Sequence, residues 1–144
     1  HHHYKIAYLI CELNSTIEVL IYDGVGHFEH LQTISTLPED FEGANGTAAI
    51  RLSAERQVPY GSNRGHDSLA VYKILADGSL ELIQIVPTNG QNPRDSTSHG
   101  SKHIIAVHQD SDNATIFKRD AESGKLTEIS HDFYVPEAVC VTFK

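Results

Sequence analysis

The stretch GHDSLAVYKILADGSLELIQIV, residues 65–86, decides the fold because two other stretches of the chain repeat its pattern. They are LNSTIEVLIYDGVGHFEHLQTI, residues 13–34, and DSDNATIFKRDAESGKLTEIS, residues 110–130. In each stretch a polar turn leads into a run rich in β-branched and aromatic residues. A second turn, usually containing glycine, then leads into another such run. The repeated unit is therefore a pair of β-strands joined by a turn.

The spacing of the repeats indicates the architecture. Ile17, Leu69 and Ala114 occupy equivalent positions at separations of 52 and 45 residues. Repeats of about this length with about four strands each are typical of β-propeller blades. An immunoglobulin-like sandwich would not repeat itself in this way, and a WD40 propeller is disfavoured because the chain contains no tryptophan. The predicted fold class is all-β, with blades of four antiparallel strands.

We name the strands of a blade A to D from the propeller axis outward. The predicted order along the chain is B Tyr4–Glu12, C Thr16–Asp23, D Phe28–Ser35, A Thr47–Leu52, B Val58–Asn63, C Ser68–Leu75, D Leu80–Val86, A Asp95–Ser98, B His103–Gln109, C Asn113–Arg119, D Leu126–Ser130 and A Ala138–Phe143. The chain thus runs from a B strand to a final A strand and supplies about three blades, whereas propellers close with about 4–8. We expect the remaining blades, or a second copy of the chain, to complete the ring.

The amino-acid composition indicates the general class of the protein and limits its possible partners. The chain has 144 residues, of which 40% are hydrophobic and 21% charged, as in a globular domain. Its formal charge of −8 disfavours nucleic acid and anionic membranes as partners. His1–His3 are interpreted as the remnant of a purification tag, which leaves residues 4–144 as one partial propeller. Cys11 and Cys140 lie far apart, so we expect two free thiols in a reducing, cytoplasmic compartment, with a single disulfide as the alternative.

Several motifs together resemble one family. They are YLICELNST, SNRGHDSLAVYK, PRD, QDSDNATIFKRD, SGKLT and VPEAVCVTF. In this order they resemble the lactonase family of seven-bladed propellers, which includes bacterial propeller-type 6-phosphogluconolactonases and is related to the fungal carboxy-cis,cis-muconate cyclase. The resemblance covers nearly all of residues 4–144 and corresponds to the C-terminal part of a family chain. The A–B turns SAERQ (53–57) and SHGSK (98–102) depart from the family's usual Ser-Pro-Asp-Gly-like turn.

The repeat also places candidate functional residues on one rim. Glu12, Arg64 and Gln109 occupy equivalent positions at the ends of three predicted B strands. That rim surrounds the central channel of a propeller, where ligands commonly bind. The resemblance implies that the acidic residue of "CE" and the arginine of "SNR", here Glu12 and Arg64, belong to the active site. It also implies that a histidine and a further arginine come from the part of the family chain that is absent here.

Hydrolysis of a lactone, which is a cyclic ester, needs a base and a group that stabilises the oxyanion. Glu12 is the candidate base, and Arg64 the candidate oxyanion stabiliser or clamp for an anionic group. His66 is a candidate proton relay. Arg94 and Gln109 are candidate substrate-binding residues, with Arg94 as a second clamp.

Each of these residues also has a structural interpretation. Glu12 and Arg64 can form an ion pair between neighbouring blades, and Arg94 can pair with Asp95 in the same way. His66 can cap a polar turn or face solvent, and Gln109 can be a turn residue. No metal or cofactor is expected, because the sequence lacks a zinc-type Cys/His cluster outside the tag, and QDSDN (109–113) lacks the glycine and terminal glutamate of a calcium loop.

Two classes of function follow. The first is a lactonase acting on a small anionic sugar lactone such as 6-phospho-D-glucono-1,5-lactone, with this chain supplying about half of the site. A muconate cycloisomerase-type relative belongs with this enzyme class. The second class is a non-catalytic propeller piece or interaction scaffold, which the shortage of blades favours. With half of the catalytic set present, we expect the isolated chain to be weakly active or inactive.

Overall fold

A computed structural model describes residues 5–55 and 57–143. The predicted tag remnant, His1–His3, lies outside the described residues. Within them the chain forms eleven strands: β1 Ile6–Cys11, β2 Thr16–Tyr22, β3 Phe28–Ser35, β4 Gly46–Leu52, β5 Pro59–Arg64, β6 Ser68–Ile74, β7 Leu80–Pro87, β8 Pro93–His99, β9 His103–His108, β10 Asn113–Arg119 and β11 Leu126–Tyr134. The described part of the chain contains no helix that is long and apolar enough to cross a membrane.

The strands form three antiparallel sheets, and each sheet is one blade. The first blade has the order β1-β2-β3, the second β4-β5-β6-β7 and the third β8-β9-β10-β11. All pairs of neighbouring strands are antiparallel and consecutive in sequence. The all-β prediction, the three blades and the start at a B strand are confirmed.

One turn geometry recurs in all three blades. Ser15, Asp67 and Asp112, which precede the C strands, have positive φ angles of 53°, 51° and 53°. Their carbonyl oxygens accept hydrogen bonds from the main-chain N–H groups of residues 36, 88 and 135, which follow the D strands. Each blade is therefore closed at one rim by the same main-chain bond. The repeat seen in the sequence is a repeat of backbone geometry.

The core lies between the blades. One buried cluster, built around Ile17, Val19 and Tyr72, joins the first blade to the second. A second cluster, built around Tyr60 and Phe117, joins the second blade to the third. Burial of these side chains holds the faces of neighbouring sheets together, at about 1.5–3 kcal/mol for each large apolar side chain.

The predicted final A strand is wrong. Ala138–Phe143 forms no strand, because no B strand lies beside it to complete a hydrogen-bonded ladder among the described residues. The segment nevertheless follows the inner strand β8, since Val141 N donates to Asp95 Oδ2 at 3.2 Å. The rings of His99 and Phe143 lie 4.5 Å apart.

Asp95 pairs with a different arginine from the one expected. Its carboxylate accepts two bonds from Arg51, from Nε at 2.9 Å and from Nη2 at 3.0 Å, and this pair joins β4 to β8. The interpretation of Arg94 and Asp95 as a structural pair is therefore wrong. The carboxylate of Asp95 binds Arg51, on the inner strand of the preceding blade, and not Arg94, which is adjacent in sequence.

Candidate functional site

A cavity of about 250 Å³ lies where the ends of β1 and β5 meet the starts of β4 and β8. Three of the predicted site residues line it together: Glu12, Arg64 and Arg94. Ile10, Thr47 and Ala48 complete the lining. Two arginines and one glutamate give this cavity a net positive charge in a chain whose formal charge is −8. Such a local basic pocket is what an anionic small molecule requires.

Glu12 and Arg64 form an ion pair across the junction of the first two blades, in which Arg64 Nη2 donates to Glu12 Oε1. Arg64 Nη2 also donates to the carbonyl oxygen of Thr47 at 3.1 Å. The Arg64 side chain is 20% exposed and that of Glu12 is 62% exposed. The arginine is therefore fixed in the wall, whereas the carboxylate faces open space and remains accessible to water.

The backbone brings these two residues together. Glu12 directly follows β1, and its carbonyl oxygen accepts a bond from Thr47 N at 3.1 Å, which joins β1 to the start of β4. Gly46 lies opposite Arg64 in the β4–β5 ladder. A Cβ atom at Gly46 would lie 3.3 Å from Arg64 Nη2, so glycine leaves room for the guanidinium. Gly46 and Thr47 thus support the ion pair.

Arg94 differs from Arg64 in its hydrogen bonding. It lines the same cavity from β8, is partly buried, and makes no hydrogen bond or ion pair with any of the described residues. Its guanidinium offers five N–H donors in a planar fork that matches a carboxylate or phosphate. Arg94 is therefore the cation in this cavity that is available to a ligand.

Thr47 belongs to the site although the sequence analysis missed it. Its hydroxyl Oγ1 and the Nε atom of Arg64 are buried and have no hydrogen-bond partner among the described residues. Most buried polar atoms in proteins are paired, so two unpaired ones on residues lining one cavity indicate a place for a polar ligand or water. In the sequence Thr47 is only the first residue of a predicted A strand, and that pattern does not show which hydroxyl groups lack a hydrogen-bond partner.

The other two predicted residues do not line this cavity. His66 lies in the turn after β5, where its Nδ1 is 2.8 Å from Ser68 Oγ and its ring stands edge-on to Phe41, with centroids 4.7 Å apart. Gln109 directly follows β9, and its main-chain N–H donates to Asn92 O at 3.1 Å. The structure thus brings together Glu12, Arg64 and Arg94, while His66 and Gln109 remain predictions.

The chain matches known proteins over nearly its whole length. The family model described as "Lactonase, 7-bladed beta-propeller" matches residues 1–143. A protein of Lactococcus lactis subsp. cremoris is 56% identical over 140 residues, which are 95% of this chain and 41% of that protein.

Two solved structures extend the comparison. A protein from Lactobacillus plantarum is similar with a TM-score of 0.91 and 44% identity, over 94% of this chain and 40% of that one. The periplasmic gluconolactonase of Pseudomonas aeruginosa is similar with a TM-score of 0.87 and 30% identity, over 92% of this chain and 38% of that one. The chain spans about 40% of the length of these relatives. It belongs to the lactonase family of seven-bladed β-propellers.

Proposed function

We propose that this chain supplies about half of the active site of a lactonase that hydrolyses a sugar lactone, such as 6-phospho-D-glucono-1,5-lactone, to the acid. The observation that carries the proposal is the meeting of Glu12, Arg64 and the unpaired Arg94 in one cavity of a lactonase-family propeller. The similarity to a protein described as a gluconolactonase supports a sugar lactone as the substrate. The remaining blades, or a second copy of the chain, supply the rest of the site.

The chemistry assigns a role to each side chain. Arg94 binds the anionic group of the substrate, because none of the described residues uses its donors. Glu12 accepts a proton from a water molecule as the water oxygen bonds to the lactone carbonyl carbon. Arg64 stabilises the negative charge that develops on the carbonyl oxygen. The ring C–O bond then breaks, the departing oxygen takes up the proton that Glu12 accepted, and the open-chain acid leaves.

The ion pair places one requirement on this mechanism. Glu12 can serve as a base only when its carboxylate is free to face the attacking water, and its high exposure allows this. In the proposed role, Arg64 moves its interaction from Glu12 to the oxyanion as charge develops there. The hydrogen bond from Arg64 Nη2 to the main-chain oxygen of Thr47 holds the guanidinium in place during this exchange.

His66 and Gln109 enter the proposal as secondary residues. We keep His66 as a proton relay and Gln109 as a substrate contact, to be reached once the remaining blades complete the rim. For the compartment, the two thiols Cys11 and Cys140 are free, which agrees with the cytoplasm as the proposed location.

The test is a calorimetric titration of the chain with 6-phosphogluconate, the stable product of the proposed reaction. We expect Arg94→Ala to weaken binding at least tenfold and Arg94→Lys to retain part of it, since charge remains while the fork is lost. Lys118→Ala is the matched control, because Lys118 is an exposed cation on β10 that does not line the cavity. Equal binding by wild type and Arg94→Ala would overturn the proposal.

A turnover assay tests the claim of half a site. We expect the isolated chain to release protons from 6-phospho-D-glucono-1,5-lactone at close to the spontaneous rate. Hydrolysis by the isolated chain that Glu12→Ala abolishes would show that the site is already complete. Unaltered binding combined with a complete lack of lactonase activity in the full ring would favour a scaffold.

A further inference from the structure

The two arginines of the candidate site come from different blades. Arg64 ends β5 in the second blade, whereas Arg94 lies on β8 in the third, and both line the same cavity. The chain between them passes through β6 and β7, so it does not connect them directly. Their relative placement therefore depends on contacts that join the second blade to the third beside the cavity.

Asp67 makes such a contact with a single carboxylate oxygen. Its Oδ1 accepts hydrogen bonds from the main-chain N–H of Gly65 at 3.2 Å and from that of Asn92 at 2.9 Å. Gly65 directly follows Arg64, and Asn92 lies two residues before Arg94. One ionised oxygen thus joins the main chain beside one arginine to the main chain beside the other, through bonds of the stronger, charge-assisted kind.

The backbone of Asp67 is itself held in place. Its φ angle is 51°, in the left-handed region that aspartate adopts more readily than most residues. Its carbonyl oxygen accepts bonds from both the main-chain N–H and the hydroxyl of Thr88, each at 2.9 Å, and Thr88 is 0% exposed. The carboxylate therefore projects from a fixed point of the second blade.

The segment that leads to Arg94 is stiff. Pro93, which separates Asn92 from Arg94, is buried, and its ring fixes its φ angle near −65°. The carbonyl oxygen of Asn92 accepts a bond from the main-chain N–H of Gln109 at 3.1 Å. A change in the position of Asn92 is therefore passed on to Arg94 at the start of β8.

The turn that follows Arg64 is held on its other side by the loop before β4. The main-chain N–H of His66 donates to Asn45 Oδ1 at 3.1 Å. A Cβ atom at Gly65 would lie 2.3 Å from the carbonyl oxygen of Ala44, so the turn packs directly against this loop. With the loop on one side, the bond from Asp67 to Asn92 fixes the third blade relative to this turn.

We propose that Asp67 is a positioning residue that sets the spacing of Arg64 and Arg94 for an anion with an acidic group at each end, an inference that rests on the proposed function. A phosphorylated sugar acid is such an anion. Its phosphate meets Arg94, and its carboxylate, formed from the lactone carbonyl, meets Arg64. Inorganic phosphate has one acidic group and needs Arg94 alone, so its binding does not depend on the spacing.

The test is a calorimetric titration of the whole chain with 6-phosphogluconate and, separately, with inorganic phosphate. Asp67→Gly removes the carboxylate but permits the same positive φ angle. We expect it to weaken binding of 6-phosphogluconate about tenfold and that of inorganic phosphate by less than about twofold, because the two arginines are then misplaced relative to each other. Asp67→Asn keeps an acceptor oxygen and should restore most of the affinity.

Asp112→Gly is the matched control. Asp112 has a φ angle of 53°, and its Oδ1 accepts a bond from the main-chain N–H of Glu137 at 2.8 Å, which is beside neither arginine. Both affinities should stay at the wild-type level in this variant. The proposal is overturned if Asp67→Gly binds 6-phosphogluconate as tightly as wild type, or if it weakens binding of both ligands equally.

A measurement on the free protein separates this inference from the proposed function. We expect Asp67→Gly to shift the side-chain Nε–H signals of both Arg64 and Arg94 in the NMR spectrum, and Asp112→Gly to shift neither. If these shifts appear but wild type does not bind 6-phosphogluconate, the proposed function fails and the positioning role of Asp67 stands. Unchanged arginine signals in Asp67→Gly would overturn the positioning role, whatever the ligand titrations show.

Discussion

Replacing Asn63 by alanine tests how the first two blades are joined beside the candidate site. Asn63 is 0% exposed, and its amide is used on both sides. Its Nδ2 donates to Thr36 O at 2.7 Å and to Ser68 Oγ at 3.2 Å. Its Oδ1 accepts from Thr36 Oγ1 at 2.7 Å and from Asn45 Nδ2 at 3.2 Å. One side chain thus connects the end of the first blade, the loop after it and the turn that follows Arg64.

The expected loss of stability is large for one substitution. Each of the two short bonds contributes about 1 kcal/mol, and leaving the buried carbonyl of Thr36 without a donor costs about 1–3 kcal/mol more. The free energy of unfolding should therefore fall by about 3–5 kcal/mol. In a chain of 144 residues this corresponds to a drop in Tm of roughly 10–15 °C.

Thermal and urea denaturation of Asn63→Ala measure this loss directly. Asn14→Ala is the matched control, because Asn14 is exposed in a turn of the first blade and should change stability by no more than about 0.5 kcal/mol. A loss below 1 kcal/mol for Asn63→Ala would refute the reasoning, because the buried amide would then not join the two blades.

Three further predictions concern stability and pH. Gly65→Ala should lower the free energy of unfolding, measured in urea, by about 3 kcal/mol or more, because a side chain is strained at a φ of +108° and its Cβ would overlap a neighbouring backbone carbonyl. Gly100→Ala, where the new Cβ would have open space around it, should lower it by about 1–2 kcal/mol. Burial lowers the pKa of His108 more than its bond to a main-chain carbonyl raises it. The free energy of unfolding should therefore be highest above about pH 6.5 and fall as the pH drops below that value, and His108→Gln should weaken this dependence on pH. Burial alone would raise the pKa of Asp95, but its bonds to Arg51 and to a main-chain N–H hold that pKa below its usual range. The stability that Asp95 contributes should therefore be present above about pH 4 and lost at lower pH, and Asp95→Asn should not show this acid-dependent loss when the free energy of unfolding is measured against pH.

The repeat made much of the fold predictable. Equivalent residues recur at nearly constant separations, so the strands, their order and their blades can be read from periodicity and turn residues. The same alignment placed Glu12 and Arg64 at equivalent strand ends, and the structure joins them in an ion pair. Sites that depend on strand position alone are therefore accessible to sequence reasoning.

The contacts and strand pairings that the sequence did not predict depend on local details of the structure. The carboxylate of Asp95 on β8 meets Arg51 on the inner strand β4 of the neighbouring blade, a contact between blades that spacing along the chain does not show. The buried hydroxyl of Tyr60 has no hydrogen-bond partner among the described residues, although the equivalent hydroxyl of Tyr8 donates to Gly78 O. The strand predicted at the end of the chain needs a neighbouring strand, which no local pattern can supply. Bulges, turn lengths and the absence of a neighbouring strand or hydrogen-bond partner depend on the three-dimensional structure, and sequence patterns indicate them only weakly.

The most direct measurement of the central claim is an NMR titration of the chain with 6-phosphogluconate, followed at every backbone amide. We expect saturable shifts concentrated at Glu12, Thr47, Ala48, Arg64 and Arg94, and we expect their loss in Arg94→Ala. Shifts confined to other surfaces, or no saturable shifts at all, would contradict the assignment of this cavity as half of a lactonase site.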